Sequence, residues 1–396
     1  MRLIYKHLHR VLPRRWEKIL DDPRRYERNW SFSELISVVS DAFISGCKNL
    51  RELEVLTEAS GRRVPDTTLW DLLVQIDPEP LEEEIAKQVK DANRKHELDN
   101  KELPIRLTII DGKGIGTTKY KVDEHSINRS QKGCTKYVQH VLRAFHASSS
   151  LKVLMGQQRV PVGTNEKGIF PIFLEKLVKH YGKTKLLEVL SFDAGFLSMK
   201  NAKAIVEQDL FYIMALKDPR VHTVTRMAMK LFEGRAKPDK VEKERVNGKE
   251  ITRKLFRAPA PKANGWSHAT QVWLIQKEVL HSSGKISSHS RYFVTNLPRQ
   301  RLSHAQVLKA IRLHWSIENN ANWVLDVAWK EDSRPWCNEA IELLSLMRMI
   351  AYNVVARFKV RRLRRATVNN WTWAQTLAFI KAAIFPPRLL QTATTL

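Results

Sequence analysis

The sequence predicts an α/β protein in which a mixed sheet with flanking helices is interrupted by an antiparallel β insertion and preceded by a helical N-terminal region. Three observations predict this fold class. Apolar, β-branched runs alternate with helical patterns between residues 105 and 217. A hairpin signal, Asn247-Gly248, lies between alternating stretches further on. A capping box, Ser303 with Gln306, then starts a long helical pattern.

The first hundred residues are predicted to be helical and basic. Ser31 and Glu34 form a capping box that opens an apolar-periodic run ending near Ile44. Similar patterns indicate two more helices, over about residues 66–77 and 80–98. A helical unit is therefore expected ahead of the sheet.

Five strands and two helices are predicted in the region that follows. The strands are expected at residues 105–111, 137–147, 151–160, 185–195 and 210–217, with helices over about 168–181 and 198–208 between the last three. Three strands followed by helix, strand, helix and strand indicate a mixed sheet with a leading meander.

An antiparallel insertion is predicted over residues 218–300. Asn247-Gly248 suits a tight hairpin, and the runs 269–281 and 291–297 repeat the strand, turn, strand pattern. The helix that begins after Ser303 is expected to run unbroken to about Trp329, a length of roughly 39 Å.

The net charge points to a polyanionic partner. The chain has 67 Lys and Arg against 42 Asp and Glu, a formal charge of +25, and such a field favours nucleic acid over a membrane surface. No acid follows Glu342, whereas the later basic residues include Arg361, Arg362, Arg364 and Arg365. A solvated tail that only aids solubility is the alternative for that segment.

The sequence predicts a soluble, cytoplasmic protein with reduced thiols. Three cysteines, Cys47, Cys134 and Cys337, lie far apart without zinc-site spacing. No apolar stretch suits a signal peptide or a transmembrane helix.

Three acids stand where acids are unexpected. Asp111 and Asp193 each end an apolar strand, and Glu318 lies within a helix. At about 100° per residue, the stripe that carries Glu318 also carries Leu308, Ile311, Trp315, Asn322, Leu325 and Trp329. If the helix packs across the strand ends, the carboxylates converge and would bind Mg²⁺ or Mn²⁺ as a pair of ions. The alternative is that the aspartates only begin turns and that Glu318 forms a salt bridge.

The glycine-rich stretch DGKGIG, residues 111–116, is not expected to bind a nucleotide. It lacks the order of a phosphate-binding loop. The glycines are expected to let backbone or nucleic acid approach Asp111 closely. His314, one turn before Glu318, is predicted to position or pack rather than to bind a metal, because the spacing of a zinc-binding helix is absent.

The stretch HWSIENNANWVLDVAWKED, residues 314–332, resembles the C-terminal signature of bacterial insertion-sequence transposases of the ISAs type. The resemblance extends upstream, in the expected order, to IIDGK at 109–113, TNE at 164–166, SFDAG at 191–195 and RYFVTNL at 291–297. Together these motifs span about residues 105–335.

The resemblance implies a ribonuclease-H-like catalytic domain with an Asp-Asp-Glu triad, carried here by Asp111, Asp193 and Glu318. Enzymes of this kind use divalent metal ions to free a 3′-OH at the transposon end and then attack target DNA with it. The implied partners are double-stranded DNA, as terminal inverted repeats and target, and further copies of the chain, as a homodimer or higher synaptic assembly. The implied location is the bacterial cytoplasm, at the nucleoid.

With this resemblance the chain is expected to divide into five parts. They are a helical, basic N-terminal region (1–103) able to bind DNA ends, the first part of the catalytic domain (104–217), the β-rich insertion (218–300), the second part of the catalytic domain (301–356) and a basic tail (357–396). A related pattern of Tyr, Arg, Glu and Lys at fixed offsets from the glutamate is not kept, so hairpin processing is not implied.

Neighbouring residues are given supporting roles. Lys113, Asn319, Asn322 and Trp323 are candidates for DNA contact, together with Arg361, Arg362, Arg364 and Arg365. The two asparagines could instead orient Glu318, and Trp323 could simply pack. His314 and Trp315 are predicted to support the site, and Asp326 to anchor a basic residue.

Two alternatives to a transposase remain open from the sequence. One is a metal-dependent DNA nuclease or domesticated transposase that uses the same triad without strand transfer. The other is a catalytically silent DNA-binding derivative, which the three intact acids disfavour.

Overall fold

The structure is a computed structural model that describes residues 16–26, 29–100, 103–131, 133–263, 265–332, 336–362 and 371–385. The helices are α1 Phe32–Ile44, α2 Leu50–Ala59, α3 Asp66–Leu73, α4 Glu79–Arg94, α5 Glu166–Tyr181, α6 Met199–Val206, α7 Thr223–Phe232, α8 His304–His314, α9 Trp323–Trp329, α10 Ile341–Arg362 and α11 Trp373–Ile384. The strands are β1 Leu107–Thr118, β2 Ser126–Asn128, β3 Tyr137–His146, β4 Val153–Arg159, β5 Val189–Phe192, β6 Phe211–Ala215, β7 Lys240–Val246, β8 Lys249–Pro259, β9 Gln271–Leu280 and β10 Ile286–Thr295.

All ten of these strands form one mixed sheet. The hydrogen-bonded order is β2-β3-β1-β5-β6-β10-β9-β8-β7, and β4 pairs with β3. Strands β1, β5 and β6 are parallel, whereas β3 runs antiparallel to β1 and β4 antiparallel to β3. The central arrangement of β4, β3, β1, β5 and β6 is the ribonuclease-H-like sheet, so the predicted fold class is confirmed.

The predicted insertion extends this same sheet. Strand β10 pairs antiparallel with β6, and β9, β8 and β7 follow by antiparallel pairing. The β7–β8 hairpin turns at Asn247 and Gly248, whose φ angles of 49° and 74° are the left-handed values that a two-residue hairpin loop requires.

Strand β1 is longer than the sequence predicts. Asp111 was expected to end the strand, but β1 continues through the glycines to Thr118 because these residues still pair with β3. The register with β5, by contrast, ends at Ile109 opposite Ser191. Asp111 therefore lies just beyond the part of β1 that both neighbours cover.

The expected unbroken helix from Ser303 to Trp329 is wrong. Helix α8 stops at His314, with Trp315 as its C-terminal cap. Residues Glu318–Asn322 then form a π-helical turn, in which the N–H of Trp323 donates to the carbonyl of Glu318, before α9 begins. A π-helical turn adds a residue to the helical repeat, so side chains after it point differently than an ideal α-helix predicts.

The N-terminal helices share a core with the sheet region. Buried residues of α1, among them Leu35 and Phe43, belong to the same apolar cluster as Phe145 of β3 and Val355 of α10. The indole N–H of Trp329 donates to the carbonyl of Phe43 at 2.6 Å. These helices are therefore packed into the molecule.

The segment expected as a basic tail from residue 357 contains folded structure. It includes the end of α10 and helix α11, whose Leu377 and Ile380 are buried. Arg357 is also buried and forms ion pairs with Asp91 and Glu97. A solvated tail is thus not what these described residues form.

A second, smaller core joins α8 to the sheet. Leu107, Val189 and Ile213 of the parallel strands contact Leu308 and Ile311 of the helix within one buried cluster. This packing places the C-terminal end of α8 near the carboxyl ends of those strands. Within the described ranges, no helix has the length and apolar character needed to cross a lipid bilayer.

Candidate active site

Parallel pairing of β1 with β5 brings the two aspartates to the same edge of the sheet. Ile109 is opposite Ser191 in the register. Asp111 and Asp193 each follow two residues later on adjacent parallel strands, so they lie side by side where β5 ends. The sequence predicts this juxtaposition correctly, although β1 itself does not stop at Asp111.

Asp193 also starts the next element. Its carboxylate accepts a hydrogen bond from the backbone N–H of Phe196 at 3.2 Å, capping a short 3₁₀ turn over Ala194–Phe196. This bond uses only one carboxylate oxygen, so the turn-forming role and a role in binding are compatible.

Glu318 is not on a buried stripe, contrary to the sequence prediction. Its side chain is exposed, while the following Ala321 and Asn322 are buried. The cause is the end of α8 at Trp315 and the π-helical turn that begins at Glu318. π-helical turns within helices are frequent at functional sites because they redirect a side chain. The charge of Glu318 still acts on Asp111 and raises the pKa of that carboxyl.

Asn322 is hydrogen-bonded to Asp111, and its predicted contact with DNA stays a prediction. Its amide N–H donates to Oδ2 of Asp111 at 3.2 Å, and the residue is 8% exposed. The sequence suggests an orienting contact of this asparagine with Glu318, whereas the observed contact is with Asp111. The change again follows from the π-helical turn that ends at Asn322.

A fourth carboxylate, Glu166, joins the three predicted acids. It is the first residue of α5, is half-buried, and lies directly against Gly112, where a Cβ atom would overlap its carboxylate. Gly112 thus permits the close approach expected at this glycine, but the approaching group is a side chain of the same protein. Only the TNE motif pointed to this residue in the sequence, and no role followed from it.

The four carboxylates repel one another. Burial, followed by the charges of Asp193, Glu318 and Glu166 in that order, raises the pKa of Asp111 to about 7. Burial also raises the pKa of Glu166, with the charge of Asp193 as the second cause. The raised pKa of Asp111 thus reflects its burial first and the three neighbouring negative charges second.

The arginine next to Asp111 is already neutralised. Arg143 stands directly opposite Asp111 in the β1–β3 register. Its guanidinium instead makes two hydrogen bonds of 2.7 Å to Glu331, and both side chains are fully buried. No ion pair to Lys or Arg is formed by any of the four site carboxylates in the ranges that the structure describes.

His314 supports the site as a neutral side chain. Its Nδ1 is 2.9 Å from the hydroxyl of Ser191, two residues before Asp193. Its pKa is lowered to about 4, mainly by burial; the charge of Asp193 opposes this shift and the charge of Arg291 adds to it. Trp315 packs edge-on against His314 and lies under the guanidinium of Arg291, 4.3 Å from the ring centroid.

Lys113 and Asp326 pair with each other. The Lys113 ammonium donates to Oδ2 of Asp326, and its side chain is only 11% exposed. Asp326 thus anchors a basic residue, as the sequence suggested, but that residue is Lys113 itself. The expected contact of Lys113 with a DNA phosphate is therefore not favoured by its position.

The remaining candidates differ in exposure. Trp323 is 57% exposed, so the packing role is wrong and its ring is open to a partner. Asn319 is exposed and donates to the carbonyl of Trp315 at 3.1 Å. Arg361 is exposed and forms an ion pair with Glu97. The side chain of Arg362 lies outside the described residues, as do Arg364 and Arg365.

The donor set fits divalent magnesium or manganese by its chemistry. All four acids present hard oxygen ligands, and their mutual repulsion would be relieved by a cation. In the positions described here, no three His, Cys, Asp or Glu side chains are grouped closely enough to hold an ion among the described residues.

Fold and site together define a ribonuclease-H-like protein with an acidic centre at the carboxyl ends of parallel strands. A family model described as "Transposase DDE domain" matches residues 102–354, more than half of the chain. The chain therefore belongs to this transposase family. The match includes the insertion and all four acids.

Individual relatives match over shorter stretches. Two proteins of Escherichia coli (strain K12), "H repeat-associated putative transposase YhhI" and "Putative protein YbfL", are each 34% identical over 95 residues. These alignments cover 22% of this chain and 24% of each relative. A solved piggyBac transposase synaptic complex with hairpin DNA is 9% identical, with a TM-score of 0.49, covering 93% of this chain and 75% of that one.

Proposed function

We propose that this protein is a DNA transposase that cleaves DNA at the ends of its element and joins the freed 3′-OH to target DNA. The observation that carries the proposal is the group of carboxylates around Asp111, which lack cationic partners in the described structure, in a chain of the transposase DDE domain family. The assignment to the ISAs type and assembly into a dimer or higher synaptic complex stay predictions.

In this proposal Asp111, Asp193 and Glu318 hold the metal ions. Two bound divalent ions would supply charge stabilisation for the attacking and leaving oxygens of a phosphodiester. The chain's own groups prepare the site: Asn322 orients Asp111 through its amide, and Glu166 adds a fourth charge beside Gly112. His314, bonded to Ser191, holds the end of α8 against β5.

The test is a cleavage and joining assay on labelled DNA that carries the element's own terminal repeats. With Mg²⁺, the protein should nick the DNA at the repeat ends and then produce joined products with target plasmid. The same reaction with EDTA is the control. Cleavage without joined products would favour the nuclease alternative, and no metal-dependent cleavage at all would refute the proposal.

The pKa of Asp111, raised by burial and by the neighbouring carboxylates, predicts a pH-dependent effect of Asp111→Asn on stability without metal. Because the pKa of this carboxyl is raised from 3.8 to about 7, the folded protein retains a proton that the unfolded chain releases. The wild-type protein thus loses stability as pH rises from about 4 to about 7. Such a rise in pKa corresponds to a loss of roughly 4 kcal/mol at most in the free energy of unfolding. Because Asp111 is only half-buried, solvent screening makes the loss smaller. The variant should therefore be about 1–2 kcal/mol more stable than the wild type near pH 8, with little gain near pH 4.

Urea unfolding in EDTA at the two pH values measures this difference. Adding Mn²⁺ near pH 8 should stabilise the wild type and not Asp111→Asn, since a ligand that binds only the folded state raises its stability. An equal stability difference at both pH values would contradict the electrostatic account.

A methyl group at Gly112 should displace Glu166. The Cβ atom of Gly112→Ala would overlap the Glu166 carboxylate, whereas that of Gly114→Ala would meet only Val138 Cγ1 at an ordinary 3.8 Å. We expect Gly112→Ala to reduce cleavage at least about tenfold, the equivalent of roughly 1.4 kcal/mol in the barrier, and Gly114→Ala to change it little. Cleavage rates and melting temperatures of both variants check this. Equal cleavage by the two variants would show that Glu166 can leave its place without consequence.

A further inference from the structure

A basic cleft lies beside the acidic candidate active site, between α8 and the inserted strands. It is a cleft of about 450 Å³. Five basic residues line it: Arg253 from β8, Lys277 from β9, His289 and Arg291 from β10, and Arg312 from α8. Arg291 and Trp315 belong to motifs noted in the sequence, but those motifs did not predict a cleft.

The basic residues of the inserted sheet stand in a row. In the strand register Arg253 is directly opposite Lys277, and Lys277 is directly opposite His289. Like charges in directly opposite positions destabilise a sheet. The row therefore costs stability in the isolated protein, and an anion bound across it would remove that cost.

Acidic neighbours neutralise only part of the cleft. Arg253 forms an ion pair with Glu244 and Arg312 with Glu242. Lys277 and Arg291 form no ion pair within the described part of the chain. Two permanent positive charges thus remain to face a ligand.

The floor of the cleft is apolar and aromatic. Leu308, Ile311 and Trp315 lie on one face of the helical path, and Phe293 comes from β10. Arg291 stacks over the Trp315 ring at 4.3 Å from the centroid. A cationic rim over an apolar floor suits a nucleotide chain, whose phosphates meet the cations while sugars and bases contact apolar surface.

The cleft adjoins the acidic centre. Trp315 follows His314, whose ring contacts Ser191 at 2.9 Å, and Ser191 precedes Asp193 by two residues. The charge of Arg291 also reaches His314, since it helps to lower the pKa of that ring. A strand that lies in the cleft is therefore close to the carboxylates.

We infer that this cleft binds the phosphodiester backbone of the DNA strand that leads into the active site, with Lys277 and Arg291 as its phosphate contacts. The inference rests on the proposed function for the choice of DNA as ligand. It assigns to the insertion a role in holding the substrate, in addition to extending the sheet.

The test compares two double variants that each remove two cations from the same inserted sheet. Lys277→Ala with Arg291→Ala removes the two cations of the cleft that form no ion pair within the described part of the chain. Lys243→Ala with Arg245→Ala is the matched control. Glu242 is opposite Arg253 and so shares the face of the cleft. Because side chains alternate along a strand, Lys243 and Arg245 lie on the opposite face of the sheet. The probe is a short fluorescein-labelled DNA duplex of arbitrary sequence, titrated in EDTA over a series of NaCl concentrations.

The slope of log affinity against log salt reports the phosphate contacts, at about 0.9 for each contact in duplex DNA. For the cleft variant, Lys277→Ala with Arg291→Ala, we expect the magnitude of this slope to fall by about 2. For the control, Lys243→Ala with Arg245→Ala, we expect it to fall by less than about 0.5. Slopes that fall equally, or that both stay unchanged, would overturn the inference. If the cleft variant does not fold, Lys277→Glu alone should weaken binding and lower the slope, and an unchanged slope there would overturn it too.

The binding assay in EDTA separates this inference from the proposed function. A protein that binds through the cleft but never cleaves with Mg²⁺ would refute the transposase activity and leave the cleft assignment standing. Normal cleavage with equal slopes for the two variants would refute the cleft alone.

Discussion

Glu318→Gln is expected to abolish Mg²⁺-dependent DNA cleavage while DNA binding is retained. The amide keeps the size of the side chain but removes the charge that acts on Asp111 and that would hold a cation. Charge stabilisation by a metal is worth several kcal/mol, and every 1.4 kcal/mol is about tenfold in rate, so we expect a loss of at least about a thousandfold. Because Glu318 is exposed in the π-helical turn, folding should be unaffected.

Cleavage of labelled terminal-repeat DNA and binding in EDTA measure the two effects separately. Asp111→Asn and Asp193→Asn should behave in the same way. Glu175→Gln, which changes an exposed carboxylate of α5, is the matched control and should cleave normally. Cleavage at the wild-type rate by Glu318→Gln would refute the assignment of this residue to the active site.

Glu331→Ala is expected to cause the largest loss of folding stability. Glu331 is fully buried and holds Arg143 through two hydrogen bonds of 2.7 Å. Its charge also acts on Arg348, which is buried and whose guanidinium nitrogens have no hydrogen-bond partner within the described structure. Removing Glu331 leaves two buried arginines without a counter-charge, and breaking such a pair costs about 3–5 kcal/mol.

Urea unfolding compares Glu331→Ala with Glu207→Ala, which breaks an exposed pair with Lys203. The exposed pair should contribute no more than about 0.5 kcal/mol. Should Glu331→Ala fail to fold, Glu331→Gln allows the measurement, because it keeps the volume and one acceptor. A loss below about 1 kcal/mol in Glu331→Ala would contradict the role given to this ion pair.

The buried pair also bears on the site. Arg143 is the cross-strand neighbour of Asp111, and a free guanidinium there would pair with the aspartate. By binding Arg143, Glu331 leaves Asp111 without a counter-charge from the protein and available to a metal. Glu331 is the glutamate near the end of the signature stretch, residues 314–332. Its contact with Arg143 gives it a structural role that no local sequence pattern shows.

Much of the fold could be predicted from periodicity and turn chemistry. Apart from the end of β1 and the short strand β2, which was not predicted, the strands and helices between residues 105 and 217 are confirmed within a few residues, as are both capping boxes and the Asn247-Gly248 hairpin. These features depend on neighbours in the sequence, so local patterns contain them. The length of β1 was wrong because its glycines are held in the sheet by pairing with β3, which is a long-range interaction.

The site was predictable only in part. Asp111 and Asp193 each follow an apolar run in the sequence, and the parallel pairing of β1 with β5 places them together. Glu166 carried no signal beyond a short motif, since its role depends on the missing side chain of Gly112, 54 residues earlier. The catalytic role of all these residues stays a prediction that the variants above test.

The sequence by itself determined the type of most elements, the excess of positive charge and the two apolar runs that are each followed by an aspartate. Only the tertiary structure decided which charges meet. It pairs Lys113 with Asp326, Arg143 with Glu331 and Asn322 with Asp111 across separations of 213, 188 and 211 residues, and it exposes Glu318 through a π-helical turn. The physical reason is range: backbone propensity and apolar periodicity act over a few residues, whereas a buried charge is stabilised by whichever partner the packed chain brings within hydrogen-bonding distance.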